Sequence, residues 1–201
     1  TSGVFKDEIA PVTVTSRKGE EVIALDETPM KCDASKISKL KPAFKKDGAV
    51  TPANSSSISD GAAAFVLMRE ADARAAGITP LARIVGHATF AHDPAWFTTA
   101  PVFAFRKLLD KAGWAAADVD LWEINEAFAA VTMASMHDLE LPHDKVNVNG
   151  GACALGHPIG ATGSRILVTL LYALKARGLK RGIAGLCAGG GEATAIAIEL
   201  L

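Results

Sequence analysis

Basic clusters, long apolar runs and paired cysteines are all missing from this sequence, and each absence removes a class of function. Lys and Arg total 21 against 22 Asp and Glu, a formal charge of -1. With no basic run to track a phosphate backbone, nucleic acid is excluded as an expected partner. No apolar run is long enough to span a bilayer, and the N-terminus has neither the charged nor the apolar block of a signal peptide, so no membrane association is expected. Cys32, Cys153 and Cys187 are odd in number and share no metal-ligand or redox spacing. That pattern argues against a disulfide framework or a metal site and predicts reduced thiols in a cytoplasmic compartment. An initiator methionine is absent too: the chain opens on Thr1 inside a patterned segment, which leads us to expect a piece of something longer.

What is present is enough for a core. The 201 residues are 49% hydrophobic and fit one domain or two small ones. Ile9 to Thr15 and Glu21 to Leu25 alternate as strands around the turn-forming Ser16-Arg17-Lys18-Gly19. From Asp26 to Asn54, prolines and lysines predict a short helix and irregular loop. The small-residue apolar run Ala62 to Met68 reads as a buried strand, and Glu70 to Ala76 as a helix stopped by Gly77. Strand and helix then alternate: Leu81 to Phe90, a helix from Thr99-Ala100-Pro101 to Gly113, Val119 to Ile124, Ala127 to Leu139, and a short strand Val146-Asn147-Val148. A helix over Ile166 to Ala176 ends at Gly178, and Gly182 to Leu186 and Ala193 to Leu201 close the chain as strands around a glycine turn. Repeated βα units with a closing antiparallel pair predict a mixed sheet covered by helices.

The stretch Asn149 to Arg165 sets five glycines around one titratable side chain, His157. Glycine permits positive φ or close backbone approach, and Pro158 narrows the conformations open to the histidine before it. As a phosphate cradle the stretch matches neither the dinucleotide fingerprint nor the P-loop spacing. Asn125 and Cys187 are polar or reactive groups at expected strand ends, where sites gather in open α/β sheets. Taken alone, Asn125 reads as a helix cap. Cys187 precedes Gly189-Gly190-Gly191, whose N–H groups can face an anion or a developing oxyanion. Cys153 and Cys32 read as unreactive thiols. His87, His92, His137 and His143 have no such frame.

Three segments together, Asn125-Glu126-Ala127-Phe128-Ala129, Gly150 to Gly163, and Cys187-Ala188-Gly189-Gly190-Gly191, resemble in order the C-terminal signatures of the thiolase family, CoA-dependent enzymes that make and cleave 3-oxoacyl-CoA. Phe5-Lys6-Asp7-Glu8-Ile9 and Asn54 to Ala64 resemble further thiolase segments. The resemblance implies an α/β fold with a mixed, five-stranded-type sheet, the C-terminal half of a five-layered α/β/α/β/α architecture. It implies residues 1–58 as the remainder of a CoA-covering loop domain, 59–79 as a strand and helix completing the N-terminal domain, and 80–201 as the C-terminal domain.

By the same resemblance, Cys187 is the acid/base acting on the methyl carbon of acetyl-CoA. His157 activates the acyl-accepting thiol, and its imidazole N–H stabilises the thioester enolate together with a water held by Asn125. The N–H of Gly189 forms half of a second oxyanion hole. Ser56 and Phe44 lie near the pantetheine, with Ala127 and Phe128 beside the thioester. Acetyl-CoA and acetoacetyl-CoA are the implied substrates, with coenzyme A entering as thioester and no cofactor bound covalently. A homo-oligomer, dimer or tetramer, is implied for the full-length enzyme.

Two departures qualify this. The family's acyl-accepting cysteine belongs to an N-terminal half expected to be absent here, and no cysteine of this chain matches its motif, so the chain is expected to need that half as a partner and to be inactive alone. Met30 stands between Pro29 and Lys31, where relatives often place a base directly after the proline. A non-catalytic CoA-binding or assembly module is a second reading. A ketosynthase-type condensing enzyme is a third; Asn125 and Cys187 speak against it.

Overall fold

In the computed structural model, which describes residues 3–201, alternation at the start of the chain produces a hairpin. Strands β1 (Val12–Ser16) and β2 (Gly19–Ile23) pair antiparallel, Val12 opposite Ile23 and Ser16 opposite Gly19. The lysine-rich stretch that follows holds two single-turn helices, α1 (Thr28–Lys31) and α2 (Ala34–Ile37). A 3-10 turn at Pro52–Asn54 is closed by reciprocal bonds between Thr51 and Asn54. After α3 (Glu70–Ala75) the chain enters the main sheet.

That sheet has the order β3 (Ala82–Ala91), β6 (Glu192–Leu200), β5 (Arg181–Cys187), β4 (Leu121–Ile124). β3 and β5 run antiparallel to β6, and β4 runs parallel to β5. Helices cover both faces because both faces are apolar. On one, α4 (Ala100–Ala112) sets Phe105 and Leu108 against Ala88, Ile183 and Ala195. On the other, α7 (Thr162–Arg177) sets Ile166, Leu170 and Leu174 against Leu121, Ala184 and Ile198. Each such fully buried side chain contributes about 1.5–3 kcal/mol, so packing rather than helix propensity holds these helices in place. The expected glycine stops are present: Gly113 and Gly178 adopt left-handed φ of 66° and 64° after α4 and α7. β5 tolerates close approach from both sides because it has no side chain at Gly182, where a Cβ would press on Leu170, or at Gly185, where it would strike the Phe105 ring.

Two expectations need correction. Ala62 to Met68 forms no strand; its backbone pairs with nothing among the described residues, and Val66 and Leu67 are 84% and 65% exposed. Apolar composition favours an extended backbone there, but no neighbouring strand among the described residues offers a ladder. Val146 to Val148 is likewise not a strand but a single parallel bridge from Val146 to Trp122, so the five-stranded-type sheet is four strands plus one bridge. The cause is Asn147. With φ of 47° it turns the chain aside, and its side-chain amide takes over the ladder, Oδ1 accepting from Ile124 N–H at 2.8 Å and Nδ2 donating to Ile124 C=O at 2.9 Å.

Candidate active site

β4 and β5 end side by side, and both signature groups at those ends are buried. Asn125 continues the pairing by one residue, its N–H donating to Gly185 C=O at 2.9 Å. Its side chain is 1% exposed, and neither Oδ1 nor Nδ2 has a hydrogen-bond partner among the described residues. It caps no helix: α5 (Ala129–Asp138) begins after Phe128 without a side-chain cap. Cys187, the last residue of β5, is 7% exposed, and burial pushes its thiol up to about 11. A cavity of about 460 Å³ opens beside it, lined by residues including Phe90, Leu186 and Ala193.

The loop after Cys187 turns tightly, Ala188 N–H donating to Glu192 C=O at 2.7 Å and Gly191 N–H to Ala188 C=O at 3.1 Å. His92 N–H stitches the turn to the end of β3 through Gly191 C=O at 3.1 Å. At Gly191, φ is 101° and any Cβ would strike the His92 carbonyl, so this position requires glycine. Gly189 stands exposed at the tip.

His157 is placed from both sides. Its N–H donates to Ser57 C=O at 2.9 Å, and it forms a parallel bridge with Ile58. Gly156, which ends the single-turn α6 (Ala152–Leu155), has φ of 96°, and the Ser59 hydroxyl occupies the space a side chain would need. Nδ1 lies 2.6 Å from the hydroxyl of Thr162, the first residue of α7. Burial, then the positive charge of Arg165, lowers the imidazole pKa below its ordinary value, which keeps the ring neutral near pH 7.

The four residues expected on the CoA side form one connected group. Ser56 N–H and Oγ–H both donate to Ala127 C=O at 3.1 Å, and Ser55 bridges to Phe128. Phe44, 73% exposed, meets the Phe128 ring edge-on at 6.1 Å, and Phe97 approaches that ring at 6.3 Å. The Ser56 hydroxyl is already engaged with the main chain. Residues 55–58 therefore act as a strap from Phe128 to His157.

Asn125, His157 and Cys187 share one end of the sheet but no direct hydrogen bond. α7 connects His157 to Cys187: a Cβ on Gly163 would lie 3.9 Å from Leu186 Cδ2, so the turn that carries Thr162 packs against the residue before Cys187.

Several residues that organise the site lay outside the sequence-based selection. Glu126 joins two signature segments, accepting from Asn147 Nδ2 at 2.9 Å and from Cys153 N–H at 3.1 Å. A Cβ on Gly151 would fall on that carboxylate, which explains the glycine. Burial and then the Glu126 charge push the Cys153 thiol up to about 12, as befits an unreactive group. Behind the site, Glu123 is 2% exposed, and burial pushes its carboxyl up to about 8 against the opposing pull of Arg165. Its place was legible: Leu121 and Glu123 fall on the same face of β4, the face that α7 covers. Arg165, in the first turn of α7, was visible only as the end of the glycine stretch. No group of His, Cys, Asp or Glu among the described residues is arranged to hold a metal ion.

Comparison with known proteins gives these features a common origin. Residues 78–200 match the model of the thiolase C-terminal domain, and residues 1–71 match that of the thiolase N-terminal domain. The chain thus carries matches to both domain descriptions, not the C-terminal one alone. The acetyl-CoA acetyltransferase of Allochromatium vinosum is 50% identical over 200 residues, covering 98% of this chain and 51% of the relative. That of Chromobacterium violaceum is 52% identical over 200 residues, again 98% and 51%. Among solved structures, the Bacillus anthracis acetyl-CoA acetyltransferase superposes with a TM-score of 0.96 at 50% identity, covering 100% of this chain and 51% of that one. Human mitochondrial 3-ketoacyl-CoA thiolase superposes with a TM-score of 0.89 at 38% identity, covering 100% and 51%. The chain spans about half the length of the relatives it matches. With both domain models matched, and the signature loops gathered at one end of a shared α/β fold, the chain belongs to the thiolase family.

Proposed function

We propose that this chain is the C-terminal part of an acetyl-CoA acetyltransferase, contributing to the reversible Claisen condensation of two acetyl-CoA into acetoacetyl-CoA or the thiolysis of 3-oxoacyl-CoA. The observation that carries the proposal is the side chain of Asn125, fully buried at the strand end with both polar atoms unpaired. Leaving such an amide unsatisfied costs about 1–3 kcal/mol. That cost is intelligible where a water is to be held for a reacting oxygen.

The roles follow from the chemistry of each group. His157, kept neutral, has an imidazole nitrogen free to take the proton of an acyl-accepting thiol. Once protonated, the same nitrogen donates to the thioester oxygen, sharing the enolate charge with the water on Asn125. Cys187, pushed up to about 11, starts as an acid at neutral pH. Giving its proton to the departing CoA thiolate leaves a cysteine thiolate, which removes the methyl proton of the second acetyl-CoA. Gly189 N–H lies at the exposed tip of the turn after it, suited to the oxygen of a tetrahedral intermediate. Phe44 and Phe128 offer an apolar wall to the pantetheine arm, beside Ser56 and Ala127.

In this proposal the acyl-accepting cysteine comes from an N-terminal half outside the chain, which also covers the exposed segment from Ala62 to Met68. Residues 1–58 cover CoA, 59–79 complete the N-terminal domain, and 80–201 form the C-terminal domain. The family matches over 1–71 and 78–200 support this order. The full-length enzyme is a cytoplasmic homo-oligomer; among the described residues no helix is long and apolar enough to cross a membrane. The direct test is to incubate the purified 201-residue chain with acetoacetyl-CoA and CoA. No acetyl-CoA above a Cys187→Ala control is expected, and any turnover above it sinks the claim of an external nucleophile.

A further inference from the structure

The hydroxyl of Thr162 lies between two groups that constrain it. It is 2.6 Å from His157 Nδ1 and 2.9 Å from the carbonyl oxygen of Pro158, and the residue is fully buried. One proton has to serve both contacts. If it pointed at Nδ1, the hydroxyl oxygen and the Pro158 carbonyl would face each other at 2.9 Å with no proton between them. If it points at the carbonyl, the hydroxyl accepts from Nδ1–H, and every contact pairs a donor with an acceptor. Donation from a helical Thr hydroxyl to the carbonyl four residues earlier is a known local geometry.

We infer that Thr162 is the positioning residue that fixes His157 as the Nδ1–H tautomer and leaves Nε2 as the lone-pair nitrogen that faces the reaction. The inference rests on the reading of His157 as a base and adds what makes the base competent. Held at Nδ1, the ring cannot flip without orphaning Nδ1–H, and it cannot exchange its tautomer without setting an Nδ1 lone pair against the hydroxyl oxygen. The same contact survives protonation, because imidazolium still donates from Nδ1. Thr162 therefore serves both halves of a proton shuttle at Nε2. Its place at the start of α7 ties the ring to the helix that packs beside Leu186.

The test is made on full-length protein labelled with ¹⁵N-histidine, the His157 signals being assigned by their loss in His157→Gln. At a pH where His157 is neutral, Nε2 is expected to show the shift of an unprotonated imidazole nitrogen and Nδ1 that of a protonated one. In Thr162→Val, which keeps the shape and removes the hydroxyl, the population should move toward Nε2–H. kcat should then fall on the order of 10- to 100-fold with KM little changed. Thr162→Ser should restore both the tautomer and most of the rate. A wild-type protein with unprotonated Nδ1, or a Thr162→Val protein with an unchanged tautomer, overturns the assignment to Thr162. A tautomer that shifts while turnover stays at the parental rate overturns the positioning role together with the reading of His157 as base.

Discussion

Glu123→Gln is the most informative single change for the physics behind the site. Glu123 is 2% exposed on β4, and burial raises its carboxyl from 4.5 to about 8, with Arg165 opposing and Glu8 and Glu126 reinforcing the rise. In the unfolded chain the group ionises near 4.5, while in the fold it holds its proton until about 8. Between those values the folded state binds more protons than the unfolded one, so stability falls as pH rises. The contribution is fully present below 4.5 and is lost by about 8. A difference of 8 minus 4.5, at about 1.4 kcal/mol per pH unit, gives roughly 5 kcal/mol across the window. For a chain of this length that corresponds to roughly 10–20 °C in Tm.

Glutamine preserves the shape and cannot ionise, so urea midpoints or Tm of parent and variant should converge at low pH and separate as pH rises. The variant should be the more stable form at pH 8. Taking the difference between the two proteins removes every titrating group that does not interact with Glu123. His157 contributes with the opposite sign: its lowered pKa adds stability that is present above the ordinary histidine value and lost as pH falls through the folded one. Parallel curves for the two proteins from pH 4.5 to 8 would refute the reasoning.

Other outcomes follow from the same geometry. Asn147→Ala removes the amide that completes the edge of β4, leaving Ile124 N–H unpaired and Ile124 C=O with only the Thr132 hydroxyl at 3.3 Å, which should cost about 1–3 kcal/mol by urea denaturation; Asn147→Gly, which relieves the positive φ but supplies no amide, should not recover it. Thiol alkylation at pH 7.5 should modify exposed Cys32 well before half-buried Cys153 or buried Cys187, as read by peptide mass spectrometry; equal rates would contradict the raised thiols of the latter two. In the full-length enzyme, His157→Ala should abolish both acyl transfer and condensation, checked by covalent acetyl labelling and by product formation.

Much of this architecture was written in local pattern. Gly113 and Gly178 stopped their helices where the periodicity ended, and the alternation around Ser16 to Gly19 closed into a hairpin. The glycine frame singled out His157, and the signature segments led to strand ends that do lie side by side. What stayed hidden depended on partners distant in sequence. Ala62 to Met68 has the composition of a strand, but a strand exists only where a second backbone offers a ladder. Val146 to Val148 was lost to one side chain, Asn147, acting as backbone. Thr162 and Glu126 look like ordinary polar residues until the fold brings a ring nitrogen to one and a loop N–H to the other.

The central claim is the division of labour between a nucleophile outside this chain and a proton-transferring Cys187 within it. It is tested most directly in full-length Cys187→Ser by following covalent acetylation and the exchange of acetyl-CoA methyl hydrogens with deuterated water in the same sample. Acetylation should persist while exchange and condensation are lost. A Cys187→Ser enzyme that exchanges and condenses at the parental rate would contradict the account.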